Sequence, residues 1–243
     1  MSLKTASSRV TGNHEDSGKT RRRAWLFRML FWAMVVLFVK VFLSIVLEYR
    51  RYFPADFESN FLSGRRHSFS GSYRQAFYIH ILSSPIALGL ATFLMASGGR
   101  AGFRKLHRWA GRLQFGLVAL VVFPSGMVMA KDAYAGPISA AGFAVLNVAT
   151  VACLCMAVWR ARTAEFAAHQ RWATRCFVLL ASPLLLRLIA GAAIVTGLES
   201  ERSYQMNSWF SWLIPLLIYE TCFARTERRQ SNKAVPASEN GEM

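Results

Sequence analysis

Two histidines that open predicted apolar helices are the residues best suited to chemistry. His107 is followed by Arg-Trp-Ala-Gly-Arg, and His169 by Gln-Arg-Trp-Ala-Thr-Arg. A neutral imidazole binds a metal through one ring nitrogen, and two imidazoles can bind one haem iron from opposite faces. If the third and fifth helices touch, this pattern predicts a single b-type haem held by His107 and His169. Its carboxylates would pair with four guanidinium groups, those of Arg108, Arg112, Arg171 and Arg175.

The same residues support two other interpretations. Histidines at a membrane edge can also hydrogen-bond to neighbouring loops and bind nothing. The four arginines form two pairs, each separated by four positions and therefore on one helix face. Such a cluster could bind an anion, either a phospholipid head group or a small acidic solute, with or without transport and without catalysis.

A third histidine, His80, is predicted to lie too far from the other two to share a metal. It stands about one and a half turns inside the opposite end of its helix, whereas His107 and His169 stand at the ends of theirs. At about 1.5 Å per residue the vertical separation is roughly 20 Å. A dihaem cytochrome, which needs four histidines at two matched depths, is therefore not expected.

Three more ionisable side chains are predicted inside apolar segments, where a charge is costly unless it is paired or reaches the interface. Lys40 lies near the middle of the first segment and can extend its flexible stem outward. Arg187 lies near the middle of the fifth segment and needs an acceptor. Glu220 in the sixth is one candidate, although it is predicted roughly 10 Å deeper. Backbone carbonyls beside Pro183 are the other.

The composition predicts the elements that carry these residues. Of 243 residues, 53% are hydrophobic and 17% are charged, whereas a soluble domain has about 45–50% and about 25%. The apolar residues form blocks of about twenty, the length that crosses a hydrocarbon core of about 30 Å. The predicted fold class is therefore all-α, a polytopic transmembrane helix bundle of about six spans: Trp25–Leu47, Gln75–Met95, Trp109–Met129, Pro137–Trp159, Ala173–Val195 and Ser208–Phe223.

The distribution of Lys and Arg predicts the orientation. Both terminal flanks and the second and fourth connections are rich in basic residues, whereas the third and fifth connections carry only Lys131 and Arg202. Because basic loops stay in the cytoplasm, both termini are predicted to be cytoplasmic. The chain then divides into a disordered tail (1–23), a first transmembrane helix (24–48), an outer loop (49–74), a five-helix core (75–224) and a second disordered tail (225–243).

Several function classes lack support in the sequence. The formal net charge is +16, but the basic residues flank apolar blocks and form no single basic face. Membrane lipids with anionic head groups are therefore the predicted partners, and nucleic acid is not. The four cysteines lie in apolar blocks and predict neither a disulfide nor a zinc site. No Gly-x-Ser-x-Gly, His-Glu-x-x-His or P-loop pattern is present, so hydrolase or transferase chemistry is not indicated, and whether the protein is an enzyme stays open.

Four short stretches, in their order and spacing, resemble a known family. They are Phe77 with His80, Leu-His-Arg-Trp-Ala-Gly-Arg at 106–112, His-Gln-Arg-Trp-Ala-Thr-Arg at 169–175 and Leu-Arg-Leu at 186–188. On these stretches the sequence from about Phe53 to Leu188 resembles the predicted bacterial membrane proteins known as domain of unknown function 2306. The resemblance implies a multi-pass helical fold in the bacterial inner membrane and no assigned chemistry.

Overall fold

The computed structural model describes residues 7–59, 61–63 and 65–234. Seven α-helices follow one another: α1 Ser7–Glu48, α2 Gly71–Ser97, α3 Arg104–Leu117, α4 Phe123–Lys131, α5 Pro137–Arg162, α6 Phe166–Val195 and α7 Glu201–Ala234. Short 3-10 turns occupy Tyr49–Arg51 and Ala101–Phe103, and a π-helical turn at Val118–Val122 joins α3 to α4. No strand occurs among the described residues, so the predicted all-α fold is confirmed.

Five helical segments are long and apolar enough to cross a membrane: Arg28–Arg51, Gly71–Ser97, Ala101–Lys131, Pro137–Arg162 and Phe166–Val195. The predicted sixth span lies inside α7, which is helical but does not belong to these five. Its apolar stretch is short and is interrupted by Ser211 and Glu220. Helices α1 and α7 also extend into the segments predicted as disordered tails, while residues 1–6 and 235–243 lie outside the described part of the chain.

Helix α1 forms one compact unit, and the chain from Tyr49 onward forms another. Most large apolar side chains described in α1 are exposed, among them Trp32 at 63% and Met34 at 70%, whereas Val41 is buried. Lys40 is exposed on the same helix. A helix that is apolar all round is stable only in an apolar surrounding, which agrees with a membrane span.

The π-helical turn has a local cause in Pro124. Proline has no N–H, and its ring collides with the carbonyl four residues earlier in a regular helix. Widening the preceding turn relieves this collision, and the Phe123 N–H donates to the Val118 carbonyl five residues back. Helix α3, the π-helical turn and α4 therefore form one continuous helical segment across Pro124. Polar side chains lie near both ends of this segment.

Helices α2 to α7 pack against one another. Helix α5 contacts α4, α6 and α7, and α2 contacts α3, α4 and α6. Side chains from α2, the π-helical turn, α5, α6 and α7 meet in the core: Ala87, Val118, Val122, Cys153, Leu154, Cys176, Leu179 and Trp212. Because lipid tails are as apolar as these side chains, close packing is what holds the helices together in a bilayer.

The two ends of this bundle carry different features. The histidine end contains the turns 98–103 and 163–165. The loop end contains the long connection 49–70 and the turns 132–136 and 196–200. A mainly aromatic cluster is buried at the loop end and anchors the long connection to α2: Tyr52, Leu62, Phe69, Tyr73, Phe77 and Ile81.

Candidate functional site

His107 and His169 lie side by side at the histidine end. Their ring centroids are 6.4 Å apart, and the ring planes form an angle of 78°. Both side chains are half-buried. His107 belongs to the first turn of α3 and His169 to the first turn of α6, so the rings meet where two helices begin. The juxtaposition on which the haem prediction depends is therefore present.

Each of the two imidazoles is hydrogen-bonded through Nδ1. His169 Nδ1 lies 2.8 Å from the Ala157 carbonyl oxygen, which can only accept, so this nitrogen carries the proton. His107 Nδ1 lies 2.9 Å from Ser97 Oγ. That hydroxyl also lies 3.3 Å from the Leu94 carbonyl oxygen. The Nε2 atom of His169 is left with a lone pair, the form in which imidazole binds a metal.

The face of α3 next to His107 has space and a buried amide. Gly111 and Gln114 follow His107 by four and seven positions and so share its face. A β-carbon added at Gly111 would meet no atom within 4 Å. Gln114 is 3% exposed, and neither its Oε1 nor its Nε2 has a hydrogen-bond partner among the described residues. A buried polar group left in this state costs about 1–3 kcal/mol, so a polar ligand at this face would stabilise the bundle.

A turn with an ion pair precedes the helix that carries His169. Arg160 Nη1 lies 2.5 Å from Glu165 Oε2, and Thr163 Oγ1 lies 3.0 Å from Glu165 Oε1. These hydrogen bonds, mainly the one from Arg160, hold the pKa of the Glu165 carboxyl below its usual range. The Glu165 carbonyl accepts from the His169 N–H at 2.9 Å, so the turn sets where α6 and its histidine begin.

Three of the arginines predicted to surround the site are exposed or contact another side chain. Arg108 and Arg112 are exposed on α3. The guanidinium carbon of Arg171 lies 4.5 Å from the centre of the Phe223 ring. A group bound between the histidines would meet a basic surface near the membrane edge, with no set of four converging guanidinium groups.

The fourth arginine, Arg175, pairs with the carboxylate that was a candidate partner for Arg187. Its Nε lies 2.5 Å from Glu220 Oε1 and its Nη2 lies 2.9 Å from Glu220 Oε2. This bidentate pair joins α6 to α7. The guanidinium of Arg187 instead lies 5.8 Å from the centre of the Phe61 ring. Depth explains the choice, because Arg187 follows Arg175 by about three helical turns towards the loop end.

His80 is separate from the histidine pair. Its Nδ1 lies 3.2 Å from Ser125 Oγ, and that hydroxyl also lies 2.6 Å from the Val121 carbonyl oxygen. The contact joins α2 to α4 in the half of the bundle nearer the loop end. His80 therefore takes part in helix packing, at a different depth from His107 and His169.

The sequence did not predict the groups that orient the two rings. Ser97 precedes His107 by ten positions across a turn, and the Ala157 partner is a backbone carbonyl, so no side-chain spacing indicates either contact. Gln114 does have a usable signal, since an amide seven positions after His107 shares its helix face.

No group of three or more His, Cys, Asp or Glu side chains in the described part of the chain could hold a metal ion. Two imidazoles alone do not complete the coordination of a metal. A metal at the histidine pair would need further ligands from outside these side chains.

Long apolar helices that pack closely and keep polar side chains between them define a polytopic α-helical membrane protein. The chain belongs to the family of predicted membrane proteins DUF2306, whose model matches residues 77–223. The family resemblance is thereby confirmed, and the match continues beyond Leu188 into α7. Comparison with curated proteins and with solved structures gives no match.

Proposed function

We propose that the protein binds one b-type haem between His107 and His169. The separation of the two rings carries the proposal. Imidazole nitrogen is a common haem ligand, and His107 and His169 would hold one iron only if their rings lie close together. The observed separation is 6.4 Å. A bound haem would supply one-electron redox chemistry.

The chain's own residues would prepare and shape this site. Ser97 and the Ala157 carbonyl hydrogen-bond to the two Nδ1 atoms and would thereby orient the rings. The open space at Gly111 leaves room for a flat group on the same helix face. The buried Gln114 side chain offers an amide N–H donor and a carbonyl acceptor to a group bound at this face.

Absorption spectra of the detergent-purified full chain, oxidised and reduced, test this proposal. We expect a Soret band in the wild-type protein that is lost in His107→Ala and in His169→Ala, because each variant removes one imidazole that would hold the haem. His67→Ala is the matched control, since His67 is exposed at the loop end, and its spectrum should match the wild type. A colourless wild-type protein from cells supplied with a haem precursor, or a band that survives both substitutions, contradicts the proposal.

A folded but colourless protein would favour a second function, the binding of an anionic lipid head group or a small acidic solute at the histidine end. Arg108 and Arg112 support it, because they are exposed, lie four positions apart and have no carboxylate partner among the described residues. Guanidinium groups in this arrangement bind phosphate and carboxylate groups at a membrane surface.

We further propose that the protein lies in the bacterial inner membrane with its histidine end in the cytoplasm. Basic residues support this orientation: Arg100, Arg104, Lys105, Arg160 and Arg162 lie at or beside the turns of the histidine end. Alkaline phosphatase fused after Ala135, at the loop end, should be active, and the same enzyme fused after Arg225 should be inactive. The reverse pattern of activities would exclude this orientation.

A further inference from the structure

Two arginines at the loop end border the same aromatic ring. The guanidinium carbon of Arg65 lies 4.4 Å from the centre of the Phe61 ring, and that of Arg187 lies 5.8 Å from it. Arg65 comes from the long connection and Arg187 from α6, so separate elements bring two positive charges to one small region. Both side chains are half-buried.

The protein supplies few acceptors for these two guanidinium groups. Each has five N–H donors. Arg65 uses Nη1, which lies 2.8 Å from Tyr73 Oη and 3.3 Å from the Asp132 carbonyl oxygen. Arg187 has neither a hydrogen bond nor an ion pair with any of the described residues. A charge inside an apolar helix is costly without a partner, so an anion from outside the chain would stabilise this region.

The side chain of Tyr204 interacts electrostatically with both Arg65 and Arg187. Burial raises the pKa of Tyr204, and Arg65 and Arg187 both oppose that rise electrostatically. The Tyr204 side chain also hydrogen-bonds to Arg65. Two cations beside tyrosine hydroxyls form a set that matches the oxygens of a phosphate group.

We infer that Arg65 and Arg187, with Tyr204, bind a phosphate oxyanion at the loop end of the bundle. The site is independent of the histidine pair and of any cofactor there. Its phosphate could belong to an anionic lipid head group, because Arg187 lies within a candidate span, or to a free phosphate compound that enters from the loop end.

Thermal unfolding of the detergent-purified full chain tests the inference in two arms. One arm titrates inorganic phosphate against chloride at equal ionic strength. The other adds phosphatidylglycerol to micelles of a neutral detergent, with phosphatidylcholine as the lipid control. We expect a saturable rise in Tm in at least one arm, because a ligand that binds only the folded state stabilises it. A response to inorganic phosphate indicates a free compound, and a response to phosphatidylglycerol alone indicates a head group.

The variants decide whether these residues form the site. Arg65→Gln and Arg187→Gln should weaken the apparent affinity at least tenfold. Arg66→Gln should leave it unchanged, because Arg66 is exposed beside Arg65 and lies over Phe57 instead of Phe61. If a Gln variant does not fold, Arg187→Lys keeps the charge but loses the planar fork and must still weaken binding. No rise in Tm in either arm, or equal affinities in Arg65, Arg66 and Arg187 variants, would overturn the inference.

Discussion

A valine at Gly142 is expected to lower the Tm of the detergent-purified protein by roughly 5–10 °C. A β-carbon at this position would lie 2.8 Å from Ser208 Oγ, 3.1 Å from the Ser208 carbonyl oxygen and 3.1 Å from Trp209 Nε1. The hydroxyl can rotate away, but the carbonyl belongs to the backbone of α7. Helices α5 and α7 must therefore separate to admit the larger side chain.

Small buried residues explain why these two helices lie so close. Ser139 on α5 and Ser208 and Ser211 on α7 have no exposed surface. Small side chains allow helix backbones to approach and to gain van der Waals contact, which is a main source of helix association in lipid. The Trp209 Nε1–H also donates to the Ile138 carbonyl at 3.1 Å, and separation of the helices would break this bond as well.

Gly191→Val is the control for this prediction. It makes the same chemical change in α6, where an added β-carbon meets nothing within 4 Å, so its Tm should stay within about 2 °C of the wild type. Gly142→Ala should show a smaller loss than Gly142→Val, and adding Ser208→Gly to it should recover part of that loss. Equal losses in Gly142→Val and Gly191→Val would show that close packing of α5 on α7 is not the cause.

The helices could be predicted from the sequence because a membrane imposes a simple length rule. Continuous apolar blocks of about twenty residues can only be helices when every backbone group must find its partner within the segment. The same rise per residue places His107 and His169 at one depth and His80 at another. The polar flanks of α1 and α7 give no such constraint, and their helical extensions were not predicted.

The partners of individual side chains could not be predicted in the same way. Rise per residue gives depth but not rotation, so Glu220 remained a candidate for Arg187 until the structure placed it against Arg175. Four arginines at similar spacing suggested one cluster, yet Arg171 turns to Phe223. The partner of each side chain depends on which faces of neighbouring helices are in contact. Those contacts are set by small residues such as Gly142, and no local sequence pattern reveals that role.

If the proposed haem is present, Ser97→Ala should weaken its binding by about 10–100-fold, the usual effect of losing a group that orients a metal ligand. Ser97 Oγ lies 2.9 Å from His107 Nδ1. Without this hydrogen bond the imidazole ring of His107 can rotate, and the orientation that a metal ligand requires is lost. We expect a lower haem content at purification and a weaker apparent affinity when haem is titrated into the apoprotein.

Two further serine variants separate orientation of the ring from a general loss of stability. Ser97→Thr keeps the hydroxyl and should retain most of the affinity. Ser84→Ala removes another hydroxyl from α2, one that donates to the His80 carbonyl at 2.6 Å, and should leave haem affinity unchanged. Because Ser97 and Ser84 both bond to a carbonyl of their own helix, equal losses of affinity in the two alanine variants would point to a weakened helix. A loss confined to Ser97→Ala assigns the effect to the imidazole of His107.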